Sequence, residues 1–345
     1  MPGFCVCASK EAREGLACID AALAIAPDFR TALNIRQSIA FLLESAKNAR
    51  ATLEEYARRN GLDTATVNIA DIEFPCAFAD DTGIPRFTLS LPGSLIINDL
   101  GAAILFREEV SGRGWEFPLR KFLDTQLRSD DVFIDVGAHW GIHSLTAATT
   151  RWSNQVTVLA IEAHPQNVER LRAWVARNGV GDTVEVISAA LGDADEIARL
   201  RIDGSSMGHS LSNAAKLGSP TIEVRVIKLD QIIAARPNLQ WRRVFLKIDV
   251  EGYEYEVLSG GRELLASRNV AAVIWENGAF DDPKARFERR RNILDLFDSY
   301  GFAHYRFDED TKCLTPLSTL DDAGDVYSLS PELRLTFANE PLLAS

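Results

Sequence analysis

The sequence is short of cysteine, of basic charge and of long apolar runs, and each shortage excludes something. Its five cysteines (Cys5, Cys7, Cys18, Cys76 and Cys313) are odd in number and irregularly spaced over 345 residues. That is the pattern of reduced thiols rather than of a disulfide framework. Cys5-x-Cys7 has no second Cys or His pair nearby to complete a zinc site. Lys and Arg number 37 against 49 Asp and Glu, a net charge of −12 at pH 7. A nucleic-acid backbone needs clustered Lys and Arg to replace its counterions, and an anionic lipid surface needs them too, so neither is an expected partner. The longest apolar stretches, such as 21–26 and 270–275, are too short to cross a bilayer. The first residues lack the basic-then-apolar order of a signal peptide. Together these absences predict a cytoplasmic protein. What is present, 46% hydrophobic and 25% charged residues, is an ordinary globular composition, and the length predicts about two domains.

Residues 1–62 read as a helical N-terminal segment. Leu16, Ile19, Leu23 and Ala26 recur at helical spacing up to Pro27, and a later helix over Ala46–Asn60 is stopped by Gly61. The phrase Ala24–Phe29 and the Ala/Leu-rich stretch after it resemble the junction of two tetratricopeptide repeats. No second copy stands at the expected period of about 34 residues. The segment is therefore expected to be a helical hairpin that caps the next domain or joins two copies into a homo-oligomer. Residues 63–128 read as a β-rich connecting subdomain, with short strands at Val67–Ile69, Arg86–Leu91, Leu95–Ile97 and Ala103–Phe106. A helix over Phe117–Leu127 leads out of it.

From 129 to 335 the chain alternates, with 336–345 as a tail. Apolar strands are expected at Val132–Val136, Val156–Ile161, Val184–Ser188, Val244–Ile248 and Val270–Trp275, with helices between them. The segments Ile197–Ile202 and Thr221–Ile227 read as an inserted hairpin. Strands buried on both faces and separated by helices predict an α/β fold with a parallel sheet. In such sheets ligands bind at the carboxyl ends of the strands, and the polar motifs of this sequence fall there.

The first strand runs into Asp135-Val136-Gly137-Ala138-His139-Trp140-Gly141 and then a helix. Gly137 permits a tight turn, and the helix start offers N–H groups to a polar ligand. His139 stands where a dinucleotide loop would place a glycine, which speaks against a pyrophosphate. The second strand ends at Glu162, followed by Ala163-His164-Pro165; an acid there can hold a ribose diol. The fourth strand carries Lys247, Asp249, Glu251 and Gly252. A lysine inside a covered strand needs partners, and Asp135, Asp249 and Glu276 are the acids at neighbouring strand ends. Asp249, Glu276 and Asn277 are hard oxygen donors that suit Mg²⁺ if a metal is used, or either acid is a general base. Glu251 reads most simply as a helix-capping residue. The Ser205–Ser210 stretch of the insert reads as a substrate loop, with His209 as a candidate base or else a solvated hairpin tip. His143, one turn into the first helix, reads as a solvent-side or packing residue.

Four phrases in order, Phe133-Ile134-Asp135-Val136-Gly137-Ala138, Ala160-Ile161-Glu162-Ala163-His164-Pro165, Leu246-Lys247-Ile248-Asp249-Val250-Glu251-Gly252 and Ile274-Trp275-Glu276, resemble the FkbM family of S-adenosylmethionine-dependent methyltransferases. The resemblance covers about 130–330. It implies a Rossmann-like, seven-stranded, mostly parallel methyltransferase fold whose last strand is antiparallel. It implies Gly137 and Gly141 near the methionyl part, Glu162 on the ribose and 189–191, with Ala190, near adenine; Asp135, Ala138, His139 and Ala163, beside them in the sequence, complete the expected cofactor site, although family members often have Asn where His139 stands. It implies methyl transfer to a hydroxyl of a small-molecule, glycan or natural-product acceptor. The catalytic candidates Asp249, Glu276 and His209 come from the residues themselves. The Asp249…Glu276-Asn277 pair also resembles, by position on the fold, the magnesium ligands of catechol O-methyltransferase. Two other readings of the chain are a nicotinamide-dependent oxidoreductase and an inactive methyltransferase-fold interaction protein.

Overall fold

The computed structural model describes residues 47–76, 86–153, 155–202, 209–211, 220–278, 283–308, 313–318 and 324–337, with isolated positions elsewhere. Residues 25–29 of the tetratricopeptide-like phrase, Cys5, Cys7, Cys18 and residues 205–208 of the insert lie outside the described residues. Two compact units divide the chain, Met1–Trp115 with Asp203–Gly208, and Glu116–Ile202 with His209–Ser345. Among the described residues no helix is long and apolar enough to cross a membrane.

In the first unit the helix 47–59 (α1) matches the expected one. Strands β1 (Asp71–Cys76) and β2 (Phe87–Pro92) pair antiparallel and alternate buried with open residues. The strands expected at Leu95–Ile97 and Ala103–Phe106 are helices instead, α2 (Gly93–Asn98) and α3 (Leu100–Val110). The Asp99 carboxylate accepts the N–H of Ala102 at 2.9 Å and starts α3 as an N-cap. Ala102, Ala103, Leu105, Phe106 and Glu109 then turn inward at helical spacing. Short apolar runs carry no periodicity that separates a strand from a buried helix. Edge-to-face rings of Tyr56, Phe74 and Phe106, 5.1 to 5.4 Å between centroids, pack the unit's core. The region read as β-rich is therefore half helical.

The second unit is built on one sheet. Helix α4 (Phe117–Gln126) leads into β3 (Val132–Val136), α5 (Ile142–Ala148), β4 (Thr157–Glu162), α6 (Pro165–Arg177) and β5 (Val184–Ser188). A side sheet follows, β6 (Ala190–Leu191), β7 (Glu196–Arg201) and β8 (Thr221–Ile227), ordered β6-β8-β7. Its β7–β8 pairing is the expected hairpin. Then come α7 (Leu229–Ala234), β9 (Val244–Ile248), α8 (Glu254–Ser259), α9 (Arg262–Ala266), β10 (Val270–Asn277), α10 (Pro283–Ser299), β11 (Ala303–Asp308), β12 (Cys313–Pro316), β13 (Gly324–Leu329) and α11 (Pro331–Phe337).

The main sheet runs β12-β11-β13-β10-β9-β3-β4-β5. Strands β5, β4, β3, β9 and β10 are parallel, and β13 enters antiparallel beside β10. Those strands with β11 make the seven expected, and β12 adds an eighth at the edge. Alternate residues of the central strands face opposite ways. Ile134, Leu246 and Trp275 join a core with Leu229, Val257, Leu264 and Phe297 of α7–α10. Phe133 and Phe245 face the other side, where Phe122 of α4 meets Phe245 and Tyr327 edge-on. The chain passes outward through β3, β4 and β5, then returns to the other side of β3 as β9. The crevice at the carboxyl ends of β3 and β9 is thus where the strand order reverses.

Candidate active site

The loop from β3 to α5 is wound by left-handed residues, with φ +76 at Gly137, +52 at His139 and +88 at Gly141. A side chain on Gly137 would place its Cβ 1.8 Å from the Asp249 carbonyl oxygen. The glycine is thus required by the neighbouring β9 backbone, which packs directly against this turn. The N–H groups of Gly137 and Ala138 both donate to the Ile161 carbonyl, at 3.0 and 2.9 Å, and tie the loop to the end of β4. His139 stacks on Trp140 at 4.3 Å.

Glu162, at the end of β4, is 7% exposed. One carboxylate oxygen accepts the His139 N–H at 2.8 Å and the other accepts the His164 N–H at 2.7 Å. Burial pushes its carboxyl up to about 7, against the downward pull of those two N–H groups, the Asn167 side chain and the Ala163 N–H. The residues here fit the adenosyl part of S-adenosylmethionine. Ala163 packs on the cluster around Ala190 in β6, and the Ala189 N–H donates to the Glu162 carbonyl at 3.1 Å. The structure therefore gathers Asp135, the Gly137–Gly141 loop, Glu162, Ala163 and Ala190 around the ends of β3, β4 and β5.

Lys247 is paired as its burial requires. Its ammonium lies 3.1 Å from Asp249 and 3.9 Å from Asp135, its β3 neighbour in the strand register. Burial alone would lower its pKa, but Asp249, Asp135 and Glu116 outweigh that and hold it charged above the usual lysine range. Asp135, fully buried, also accepts the Ser144 hydroxyl at 2.6 Å. Ligand oxygens of Asp249, Glu251 and Glu276 all come within 4.8 Å of one another. Glu276 faces Asp325 across the β10–β13 pairing. Burial, then Asp249, Glu251, Glu254 and Asp325, push Glu276 up to about 10. Burial, then Glu116 and Asp249, push Asp325 up to about 8. Both acids are thus held toward their protonated forms. Asn277 is buried, with its carbonyl accepting from Arg290 at 3.1 Å.

Three residues sit otherwise than expected. His143 is neither solvent-side nor simple packing. It is 3% exposed and its Nε2 lies 2.5 Å from Glu116, 27 residues earlier. Burial and the Lys247 charge push it down to about 3, so it stays neutral. Glu251 does not cap α8; the Glu254 carboxylate takes the Gly252 N–H at 2.9 Å instead. The His209 ring lies 4.3 Å from that of His164, at the start of α6. It is the next residue, Ser210, that reaches the β9 turn, donating to the Glu251 carbonyl at 2.6 Å. Sequence reasoning missed Glu116, Ser144, Glu254 and Asp325. Only Glu254 carried a local signal, an acid two residues past a glycine turn.

Residues 135–303 match the Methyltransferase FkbM domain. The chain is 31% identical over 180 residues to the hexuronic acid methyltransferase AglP of Haloferax volcanii, covering 50% of this chain and 66% of that protein. Among solved structures it is similar to the methyltransferase FkbM of Methylobacillus flagellatus, with 17% identity and a TM-score of 0.36 over 59% of this chain and 45% of the other. It is also similar to cofactor-bound Rv0187 from MTB, with 14% identity and a TM-score of 0.38 over 68% and 92% of the two chains. The chain thus spans just under two thirds of the curated relative and less than half of the Methylobacillus chain.

Proposed function

Residues 135–303 are a methyltransferase FkbM domain, and from that premise we propose that the chain transfers a methyl group from S-adenosylmethionine to a hydroxyl of a sugar, glycan or related natural product. The observation that carries this reading is Glu162. A buried carboxylate at the end of β4 joins the β3–α5 loop to the start of α6, at the strand end where folds of this kind hold a ribose diol. S-adenosylmethionine supplies, when bound, an electrophilic methyl group on a good leaving group. Asp135, Gly137–Gly141, Glu162, Ala163 and Ala190 would hold it.

The acceptor side belongs to the ends of β9 and β10. Asp249, ion-paired with Lys247, takes the acceptor's proton, and protonated Glu276 donates a hydrogen bond to the acceptor. Lys247 balances the charge that would otherwise oppose two acids at adjacent strand ends. Positioning supplies most of the rate. His209 belongs to the cofactor side in this reading. The relative's hexuronic acid points to a saccharide as the first acceptor class to try. A Mg²⁺ on the hard oxygens of Asp249, Glu251 and Glu276 would displace the Glu276 proton and replace its hydrogen bond.

Titration calorimetry with S-adenosylhomocysteine tests the cofactor assignment. Wild type is expected to bind about one per chain, Glu162→Ala to bind at least tenfold more weakly, and Asp249→Ala to bind as wild type. Methyl transfer from labelled S-adenosylmethionine to glucosides and glucuronides is then expected for wild type and lost in Asp249→Ala. Equal affinity in Glu162→Ala and wild type would remove the ribose assignment. Activity surviving a chelator would leave Lys247 as the cation of the site.

A further inference from the structure

The cations around the ends of β9 and β10 are nearly all engaged. Lys247 meets Asp249 at 3.1 Å and Asp135 at 3.9 Å. Arg289 donates to the Gly252 carbonyl and pairs with Glu256 at 3.2 Å. Arg290 donates to the carbonyls of Asn277 and Gly278. Arg201, the last residue of β7, is the exception. Among the described residues no hydrogen bond or ion pair ends on its guanidinium, and its Nε is closed off from solvent without a partner.

The backbone fixes where that guanidinium lies. The Arg201 N–H donates to the Ser210 carbonyl at 2.9 Å, and the Ser210 N–H returns a bond to the Arg201 carbonyl at 3.3 Å. Residues opposed in this way put their side chains on one face, with Cβ atoms about 5 Å apart. On that face the Ser210 hydroxyl donates to the Glu251 carbonyl at 2.6 Å, in the turn after β9. Arg201 therefore stands beside that turn, on the acceptor side of the site. Leu200 faces the other way, into the cluster around Ala190, so the core of the side sheet is complete without Arg201.

Arg201 is half-buried. A charged group taken part-way out of water costs free energy unless an opposite charge meets it. Methionine would cover the same surface without that cost. Asp249, Glu251 and Glu276, with oxygens within 4.8 Å of one another, repel any acid brought to these strand ends, so an anionic ligand needs a cation here. A guanidinium matches a carboxylate in shape and holds it by two parallel N–H bonds. One arginine balances one negative charge. A phosphate, with a charge of about −2, would leave an excess beside these acids.

We infer that Arg201 is a specificity residue that binds a carboxylate of the acceptor, which is therefore an acidic sugar of the uronate type and not a neutral glycoside. The inference rests on the methyltransferase reading above and deepens it by naming the charge of the acceptor. One hydroxyl is methylated beside Asp249 while the carboxylate of the same molecule is held at Arg201.

Calorimetry on the full chain with phenyl glucuronide and with phenyl glucoside, each in the presence of S-adenosylhomocysteine, tests this. Wild type is expected to bind the glucuronide at least tenfold more tightly than the glucoside. Arg201→Met is expected to lose tenfold or more for the glucuronide, to keep the glucoside within twofold, and to bind S-adenosylhomocysteine within twofold of wild type. Arg201→Lys keeps the charge and recovers part of the glucuronide affinity. The same order is expected in kcat/KM for methyl transfer. A wild type that binds the two probes alike, or binds neither, overturns the inference. So does an Arg201→Met that weakens both probes equally, which marks a structural role, or one that weakens S-adenosylhomocysteine, which makes the cofactor's own carboxylate the partner. A wild type that binds no S-adenosylhomocysteine removes the methyltransferase reading instead. The preference for the glucuronide, and its loss in Arg201→Met, would still decide the role of this arginine.

Discussion

Glu162 accepts structural hydrogen bonds from the His139 and His164 N–H groups, with Asn167 and the Ala163 N–H beside them, and in the proposed reading meets the ribose as well. Its ionisation therefore controls affinity. Burial has raised its pKa to about 7, and only the ionised form can accept from these donors and the ribose together. Affinity for S-adenosylhomocysteine is expected to weaken as pH falls below about 7, approaching tenfold per unit, the limit for binding that requires one deprotonated group. Calorimetry between pH 6 and 8 checks this, and Glu162→Gln should give weak, pH-independent binding. A flat wild-type profile would mean that this carboxylate does not meet the ligand. Glu162 was legible in the sequence because its role depends on position alone, an acid at the end of the second strand. His143 was not, because its environment depends on Glu116, which enters from a left-handed position at the start of α4. No local spacing links the two.

Helix α10 is the element that holds the acid-bearing turns from behind. Its consecutive arginines divide the work. Arg289 reaches the Gly252 carbonyl after β9, and Arg290 donates to the carbonyls of Asn277 and Gly278 after β10, at 3.1 and 2.8 Å. Arg290 is 3% exposed, so methionine in its place would leave two carbonyls without their donor. A buried acceptor left unsatisfied costs about 1–3 kcal/mol. Arg290→Met is expected to lower Tm by about 2 °C or more and to speed amide exchange around 276–278 first. Uniform acceleration across the sheet would argue for a general packing role instead. The parallel strands were legible from their apolar runs bounded by turns. Residues 95–106 were not, because Ile-Ile and Ala-Ala-Ile-Leu-Phe fit a strand as well as a buried helix. What decides them is the Asp99 cap and the packing of Phe106 on Phe74.

At the scale of the whole molecule, the parallel strands end in an excess of carboxylates that the fold holds partly protonated. Burial raises Glu162 and Glu254 to about 7, Asp325 to about 8 and Glu276 to about 10. Each value lies above that of the unfolded chain, so the folded protein binds more protons than the unfolded one up to those pH values. Such a group stabilises fully below its unfolded pKa, and the contribution is lost as pH rises through the folded value. Below about 6.5 the neutral histidines oppose this. Burial depresses His143, His164 and His304, and their contribution grows as pH rises toward the unfolded value. Above about 6.5 these histidines no longer contribute and the four acids govern the trend, while Lys247 stays charged. The ligand-free protein is therefore expected to lose stability steadily from pH 6.5 to 9. Each excess proton carried over one pH unit corresponds to about 1.4 kcal/mol, or about 2–4 °C in Tm. Thermal melts in chelator-treated buffer across that range measure it. Glu276→Gln removes the highest of these pKa values and should flatten the slope. A Tm that rises with pH would mean that the four acids are already ionised in the folded protein, and the proton placed on Glu276 for hydrogen bonding to the acceptor would have to be abandoned.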